Sequence, residues 1–162
     1  MQTSFTDKQL QDKDNKTSET IIRKCVHCGM CNATCPTYGI NGEELEGPRG
    51  RIYLIKDMLE NKKPATKEIA KHIDSCLSCY SCMTTCPSGV NYMHLIDHGR
   101  NYVEETYKRP FLDRLFRNIL SFVLPRPKVF LLMALSSKII KPFSFLFPKF
   151  LKNALNLMPD KI

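Results

Sequence analysis

Eight cysteines lie in two runs of identical spacing, and their chemistry is the clearest in this sequence. The runs are CVHCGMCNATCP, from Cys25 to Pro36, and CLSCYSCMTTCP, from Cys76 to Pro87. Each has the pattern C-x2-C-x2-C-x3-C-P, which is typical of loops that bind [4Fe–4S] clusters. The 162-residue chain contains eight cysteines in all, so the two runs use every one of them. The pattern predicts two [4Fe–4S] clusters.

The spacing also predicts which cysteines share a cluster. Three cysteines at C-x2-C-x2-C surround one cluster, and the fourth, after three more residues, ligates the other cluster in two-cluster ferredoxins. The proline that follows favours an extended backbone at the fourth cysteine and so directs its thiolate away from its own loop. The expected ligands are Cys25, Cys28, Cys31 and Cys86 for cluster 1, and Cys35, Cys76, Cys79 and Cys82 for cluster 2. Neither cluster would then have an iron open to a substrate.

Zinc and disulfides are the two other uses that these cysteines suggest. Zinc sites usually combine two C-x2-C pairs across a long spacer, rather than three cysteines followed by Cys-Pro. Disulfides would be unusual because residues 1–20 lack the apolar stretch of a secretory signal, so we expect a cytoplasmic, reducing location. A zinc-bound interaction module stays as a remote alternative. Colour distinguishes this alternative from the iron–sulfur prediction, since iron–sulfur protein is brown and zinc protein is colourless.

The other polar residues do not indicate a catalytic site. His27 lies inside the first run, where we expect a solvent-facing loop residue rather than one that tunes a cluster. His72, His94 and His98 fall at predicted helical positions, where packing and surface roles are more common than metal binding. No nucleophile–base pair, phosphate-binding glycine loop or carboxylate pair stands out. We expect the chain to move electrons and to transform no substrate itself.

Charge is concentrated at one end of the chain. The formal net charge is +8, but residues 1–107 carry −1 and residues 108–162 carry +9. Eight thiolates around two cluster cores would lower the total to about +4. The basic composition is therefore weak evidence for a nucleic-acid partner, and we predict none. Apolar residues (43%) and charged residues (25%) are close to those of soluble globular proteins, which argues against disorder or a membrane bundle.

Apolar periodicity predicts a mainly α protein in three parts. Residues 1–20 are polar and indicate a mobile leader or the lead-in to a first helix over 18–24. Residues 21–107 would form an α-helical ferredoxin domain with both cluster-binding loops. Residues 108–162 would form a basic, amphipathic, Pro-rich helical extension.

Within the predicted ferredoxin domain, the Gly-rich segment 37–51 indicates loops and turns. Helices are predicted over 51–60 and 92–107, and a third between them is predicted to be capped by Thr66. The buried face of the helix over 92–107 would carry Leu95, Ile96, Gly99, Tyr102 and Val103.

The extension over 108–162 combines positive charge with apolar stripes. Its first helix would present Phe111, Leu112, Leu115, Phe116, Ile119, Leu120 and Val123 on one side and end at Pro125 and Pro127. The short apolar runs 129–135 and 143–147 follow, and the longest uncharged stretch falls short of the ~18–20 residues that a membrane span needs. We expect this extension to pack on further domains or to bind peripherally to the inner face of the cytoplasmic membrane. Folding back on the domain as an ordinary helical extension is the alternative.

The two runs and the segment between them resemble a known family. Together with GPRGRIYLIKDMLEN at 47–61, they are similar to the iron–sulfur subunit of bacterial glycolate oxidase (glycolate dehydrogenase) from Ile21 to Leu124, and more loosely beyond. The cysteines alone also fit other helical ferredoxins, including the succinate dehydrogenase type. The small subunits of anaerobic glycerol-3-phosphate dehydrogenase and of heterodisulfide reductase fit them as well. The GPRGR segment and the helix after it favour glycolate oxidase.

This resemblance implies a function and a set of partners. The chain would be an electron-transfer subunit of an oxidoreductase complex, taking electrons from FAD-binding subunits that oxidise glycolate to glyoxylate. It would pass them to a membrane quinone or another acceptor. Members of this family continue into two cysteine-rich domains, so the sequence resembles the N-terminal part of the subunit. The alternative is a heterodisulfide-reductase-like or glycerol-3-phosphate-dehydrogenase-like electron-transfer subunit.

Overall fold

The computed structural model describes residues 1–140 and confirms the prediction of a mainly α protein. Within this part of the chain there are eight α helices and no strand. The helices are α1 (Lys13–Lys24), α2 (Pro36–Asn41), α3 (Pro48–Asn61), α4 (Lys67–Asp74), α5 (Ser81–Thr85), α6 (Tyr92–Thr106), α7 (Phe111–Val123) and α8 (Pro127–Ile140). Short 3-10 turns lie at Gln9–Gln11, Met30–Asn32 and Glu44–Glu46. The chain divides into one unit over Met1–Lys108 and a second from Arg109.

Local sequence signals explain where the main helices of the first unit begin. The side chains of Asp12, Thr66 and Asn91 accept hydrogen bonds from backbone N–H groups in the first turns of α1, α4 and α6. Such caps satisfy donors that have no partner within the helix. The predicted cap at Thr66 is therefore observed. Helices α2 and α3 instead begin at Pro36 and Pro48, since proline lacks the N–H group that a first turn leaves unused.

The segment 37–51 differs from its predicted loop structure. It contains most of α2, a 3-10 turn and the beginning of α3, which starts at Pro48 and not at Arg51. Gly50 is required here by close packing: an added Cβ would lie 2.2 Å from the backbone oxygen of Glu44. The glycines of this segment therefore accommodate close backbone contacts as well as turns.

The first twenty residues also differ from the predicted polar leader. Gln9 is buried, and its side-chain amide donates to the backbone oxygens of Leu59 and Glu60, each at 2.9 Å. Ser18 is buried too, with its Oγ 2.7 Å from Nδ1 of His98. Helix α1 begins at Lys13, five residues before the predicted start. Apolar periodicity missed this region because polar side chains attach it to α3 and α6.

Helices α1, α3, α4 and α6 surround one apolar core in the first unit. The core residues with no exposed surface are Ile22, Ile55, Met58, Ile73, Leu95, Ile96 and Val103. Helix α6 buries the stripe predicted for it, except that Tyr102 is only half-buried. At Gly99 an added Cβ would lie 2.8 Å from Cγ1 of Ile55, so α3 and α6 pack closely at this point.

The second unit is described as far as Ile140. Helix α7 ends at Val123, and α8 begins at Pro127, as the two prolines predicted. The apolar residues of α7 are exposed apart from Val123. Within residues 1–140 no single helix is long and apolar enough to cross a membrane. Helix α7 and the 127–136 part of α8 reach that length and composition only as a pair bent by 114°. The predicted apolar run 143–147 lies outside the described residues.

Candidate metal centre

The two cysteine loops adopt the same unusual backbone conformation at matching positions. His27 (φ 61°) and Ser78 (φ 51°) stand before the second cysteine of each run, and Gly29 (φ 83°) and Tyr80 (φ 56°) follow it. Three of these four residues carry side chains, for which the left-handed region costs roughly 1–2 kcal/mol each. Such conformations persist where the surrounding structure requires them, and they often mark functional sites. The sequence repeat is therefore also a conformational repeat.

The fourth cysteine of each run turns away from its own loop. Cys35 (φ −87°, ψ 116°) and Cys86 (φ −78°, ψ 112°) are extended, as expected for residues that precede proline. After Cys35 the chain enters α2, and after Cys86 it continues toward α6. Both backbones therefore have the geometry that crossed ligation requires.

The eight cysteines line two cavities, and the fourth cysteine of each run lines the cavity that the other run surrounds. The first cavity, with a volume of about 450 Å³ that includes its open mouth, is lined by Cys25, Cys28, Cys31 and Cys86. The second, of about 300 Å³, is lined by Cys35, Cys76, Cys79 and Cys82. Cys82 also borders the first cavity. The structure thus brings together the groups that spacing assigned to cluster 1 and cluster 2, while ligation itself stays a prediction.

Electrostatic interactions among the thiols follow the grouping for Cys31, whereas Cys82 is affected by thiols of both groups. Burial raises the pKa of Cys31, and three thiolates of the first cavity raise it further: Cys25, Cys86 and Cys28. Burial raises the pKa of Cys82 to about 12, with added repulsion from Cys31, Cys76, Cys35 and Cys79. Neighbouring thiolates are unfavourable without a positive charge between them, which a metal core supplies. The donor set therefore fits iron–sulfur clusters, for which cysteine thiolates are the usual ligands.

Side-chain hydroxyls lie against three of the sulfurs in the second cavity. The hydroxyl of Tyr92 is 3.7 Å from Cys76 Sγ, and Oγ1 of Thr37 is 3.2 Å from Cys35 Sγ. The backbone N–H of Ser81, followed by its hydroxyl, lowers the pKa of the Cys79 thiol. Burial raises the pKa of Tyr92 well above its ordinary value, so its phenol keeps the proton that it can donate. Spacing rules for cysteine ligands gave no indication of these contacts.

A buried ion pair lies beside the second cavity. Arg51, whose side chain is 1% exposed, donates to the Glu46 carboxylate at 2.8 Å, and Glu46 is 3% exposed. Arg51 also donates to the backbone oxygen of His72 at 2.7 Å and to Oγ of Ser75 at 2.9 Å. It lies four residues before Ile55 on the buried face of α3, a position that predicts burial. Apolar periodicity does not indicate this role, because Arg51 is a charged member of an otherwise apolar face.

The first cavity has a related pair nearer the surface. Arg49 lines this cavity and donates to the Glu44 carboxylate at 2.9 Å, with both side chains partly exposed. An added Cβ at Gly29 would lie 2.4 Å from this guanidinium. Each cavity is therefore lined by one arginine that is paired with a glutamate.

His27 lies in a loop and the other three histidines lie on helices, as the sequence predicted. His27 is exposed, and its ring is 6.3 Å from that of Tyr53. Nδ1 of His72 is buried 2.8 Å from Glu46. His98 is half-buried, and this burial lowers its pKa. The charged groups around His98 are Asp14, Asp12 and Glu105, which raise its pKa, and His94, which lowers it.

Comparisons with known proteins agree with this site. Residues 21–90 match the 4Fe–4S dicluster domain family. The chain is 48% identical over 143 residues to the glycolate oxidase iron–sulfur subunit of Escherichia coli (strain K12), covering 88% of this chain and 35% of that protein. It is 31% identical over 117 residues to the probable glycolate oxidase iron–sulfur subunit of Bacillus subtilis (strain 168), covering 69% and 26%.

A more distant relative belongs to another complex. The mitochondrial succinate dehydrogenase iron–sulfur subunit of Candida glabrata is 30% identical over 88 residues, covering 51% of this chain and 35% of that protein. No solved structure matches. The chain spans 35% or less of the length of each of these three relatives. Residues 21–90 are therefore similar to a 4Fe–4S dicluster domain, and the predicted resemblance of the chain to the glycolate oxidase iron–sulfur subunit is confirmed.

Proposed function

We propose that this chain binds two [4Fe–4S] clusters and transfers electrons as a subunit of a glycolate oxidase complex. The observation that carries the proposal is that the fourth cysteine of each run lines the cavity of the other run: Cys86 lines the first cavity with Cys25, Cys28 and Cys31, and Cys35 lines the second with Cys76, Cys79 and Cys82. Cluster 1 would be held by the first cavity's four cysteines and cluster 2 by the second cavity's four. Four thiolates for each cluster leave no iron for a substrate, so the chemistry supplied is one-electron acceptance and release.

The protein would position the clusters and limit their contact with water. Cys25 and Cys82 are buried, and Cys28 and Cys79 are exposed, so each cluster would have one deep ligand and one at the surface. An apolar side chain stands at each mouth, Val26 (67% exposed) and Leu77 (66% exposed), directly after the first cysteine of each run. Exposed apolar residues beside a redox centre suit transient contact with a partner. Each cluster would thus have its own exposed edge for electron exchange.

The donors in this proposal are FAD-binding subunits that oxidise glycolate to glyoxylate. The acceptor is a quinone or another carrier. The names of the bacterial relatives support glycolate oxidase, and the distant relative from succinate dehydrogenase supports electron transfer more generally. The GPRGR segment, on which the resemblance depends, supplies Gly50, which packs on the Glu44 backbone, and Arg51, which lines the second cavity.

Peripheral membrane association is proposed for the second unit. Helix α7 exposes apolar side chains, and residues 108–162 carry a formal charge of +9. An amphipathic basic helix binds anionic membranes through apolar burial plus about 1 kcal/mol for each Lys or Arg near the surface. This location, on the inner face of the cytoplasmic membrane, would place the chain near a quinone acceptor.

The test uses the full chain purified without oxygen. We expect brown protein with about eight iron and eight sulfide per chain, the content of two [4Fe–4S] clusters. Mixing it with the flavin-bearing subunits of glycolate oxidase and adding glycolate should bleach the visible absorption. The same mixture without glycolate is the control. Colourless protein containing zinc would refute cluster binding, and intact clusters that glycolate never reduces would refute the glycolate oxidase role.

A further inference from the structure

The predicted ligands of the two clusters are matched in burial. Each set of four has one buried, one exposed and two half-buried cysteines. Each cavity also has one arginine paired with a glutamate: Arg49 with Glu44 at the first cavity and Arg51 with Glu46 at the second. Exposure, net charge and hydrogen bonds to sulfur set the reduction potential of a cluster. The Arg49–Glu44 pair is partly exposed and the Arg51–Glu46 pair is buried, but ligand burial and the formal charge of the pair are the same at both sites. Hydrogen bonds to sulfur are then the difference that involves the ligands directly.

Tyr92 supplies the clearest of these hydrogen bonds. It is buried at the start of α6, it borders both cavities, and its hydroxyl is 3.7 Å from Cys76 Sγ. Thr37 lies 3.2 Å from Cys35 Sγ, but its single hydroxyl proton is shared with the backbone oxygen of Glu46 at 2.7 Å. Tyr92 is therefore a stronger donor than Thr37 to a thiolate in the second cavity, and it is the buried one, whereas Ser81 donates to the exposed Cys79.

The internal repeat shows that the first cavity lacks this donor. Six residues after its fourth cysteine, the second run has Tyr92, whereas the first run has Asn41, which is exposed. Ser88, the repeat partner of Thr37, borders the first cavity without a hydrogen bond to Cys86. Within residues 1–140 no side-chain hydroxyl is hydrogen-bonded to a sulfur of the first cavity's four cysteines.

We propose that the Tyr92 hydroxyl raises the reduction potential of cluster 2 above that of cluster 1. Reduction adds one negative charge, and a hydroxyl proton directed at the Cys76 thiolate stabilises that charge. An electron held on cluster 1 would then favour cluster 2, with cluster 1 oxidised by one electron and cluster 2 reduced by one. Tyr92 acts through a ligand, so it is a tuning residue rather than a catalytic one. This inference rests on the proposed cluster ligation.

The test is a redox titration of the full chain, followed by electron paramagnetic resonance, in the native protein and in Tyr92→Phe. This change removes one oxygen and keeps the buried ring. We expect the higher of the two midpoint potentials to fall by about 59 mV, a tenfold weaker one-electron reduction, and the lower one to stay unchanged. Tyr102→Phe is the matched control on α6, because Tyr102 borders neither cysteine cavity.

Variants that keep only one cluster show which cluster the shifted potential belongs to. Tyr92→Phe should lower the remaining potential in a Cys28→Ala chain, which keeps cluster 2, and leave it unchanged in a Cys79→Ala chain, which keeps cluster 1. The inference is overturned if Tyr92→Phe shifts neither potential, shifts both equally or lowers only the lower one. Iron analysis separates the two proposals. Eight irons with no shift contradict the role of Tyr92 alone, whereas absence of clusters contradicts the proposed function and this inference together.

Discussion

Replacing Arg51 with methionine should be among the most destabilising single changes in the first unit. The guanidinium donates to the Glu46 carboxylate, the His72 backbone oxygen and the Ser75 hydroxyl, and so connects α3, α4 and the turn before α3. Methionine fills much of the same volume but donates no hydrogen bond. It would leave the Glu46 carboxylate buried with one fewer partner.

The expected loss of stability follows from the burial of the Arg51–Glu46 ion pair. Breaking a buried ion pair by removing one partner costs about 3–5 kcal/mol, because the other charge stays in a low-dielectric site. The side chains of Arg51 and Glu46 are at most 3% exposed, so solvent cannot replace the lost partner. The double variant Arg51→Met/Glu46→Gln removes both charges. Its loss of free energy of unfolding should be smaller, by about 2 kcal/mol, than the sum of the losses in Arg51→Met and Glu46→Gln.

Anaerobic urea denaturation followed by circular dichroism, after a fixed incubation, measures this loss. With a slope of about 1.5 kcal/mol per molar urea, the midpoint of Arg51→Met should fall by about 2–3 M. Lys63→Met is the control, because the Lys63–Asp57 pair is exposed and should contribute less than about 1 kcal/mol. Equal effects of the two changes, or strict additivity in the double variant, would refute the argument from burial.

Three further predictions concern other parts of the chain. Gly50→Ala should lower the free energy of unfolding by about 1–3 kcal/mol, because the added Cβ would meet the backbone oxygen of Glu44. Gly39→Ala is the control: its Cβ would meet open space, so the free energy of unfolding should fall little or rise. Burial lowers the pKa of His98, so the free energy of unfolding should be highest above the ordinary pKa of histidine and should decline as the pH falls toward the folded-state pKa. His98→Gln should flatten this decline. An unchanged pH profile would contradict the role of His98. The full chain should float with anionic liposomes at low salt through residues 108–162, and 1 M salt should release it, because the Debye length then shortens to about 3 Å. A chain that stays in the soluble fraction at low salt would leave a protein interface as the role of this extension.

The sequence predicted best those features that depend on short spacings. The cysteine runs fix loop conformation locally, as the matched left-handed residues show, and the stripe of α6 follows from the helical repeat. Helix starts were less accurate, because Pro48 begins α3 by a mechanism that apolar periodicity does not register. The predicted loop over 37–51 was wrong for the same reason.

Long-range polar contacts account for what could not be predicted. Gln9 reaches the end of α3 across fifty residues, and Arg51 reaches His72 across twenty-one. Nothing in the local sequence distinguishes Gln9 from a surface residue, whereas the helical position of Arg51 predicts burial but does not identify its partners. The position of Tyr92 beside Cys76 likewise depends on how α6 enters the core. These contacts depend on how the helices pack against one another, which the local sequence does not specify.

Iron counting in double cysteine variants tests the central claim most directly. If ligation crosses between the runs, Cys35 and Cys79 serve the same cluster, so Cys35→Ala/Cys79→Ala should retain about four irons per chain. Cys35→Ala/Cys28→Ala would then affect both clusters and should retain almost none. The reverse result, with four irons kept by Cys35→Ala/Cys28→Ala and none by Cys35→Ala/Cys79→Ala, would show that each run binds its own cluster and would contradict the account.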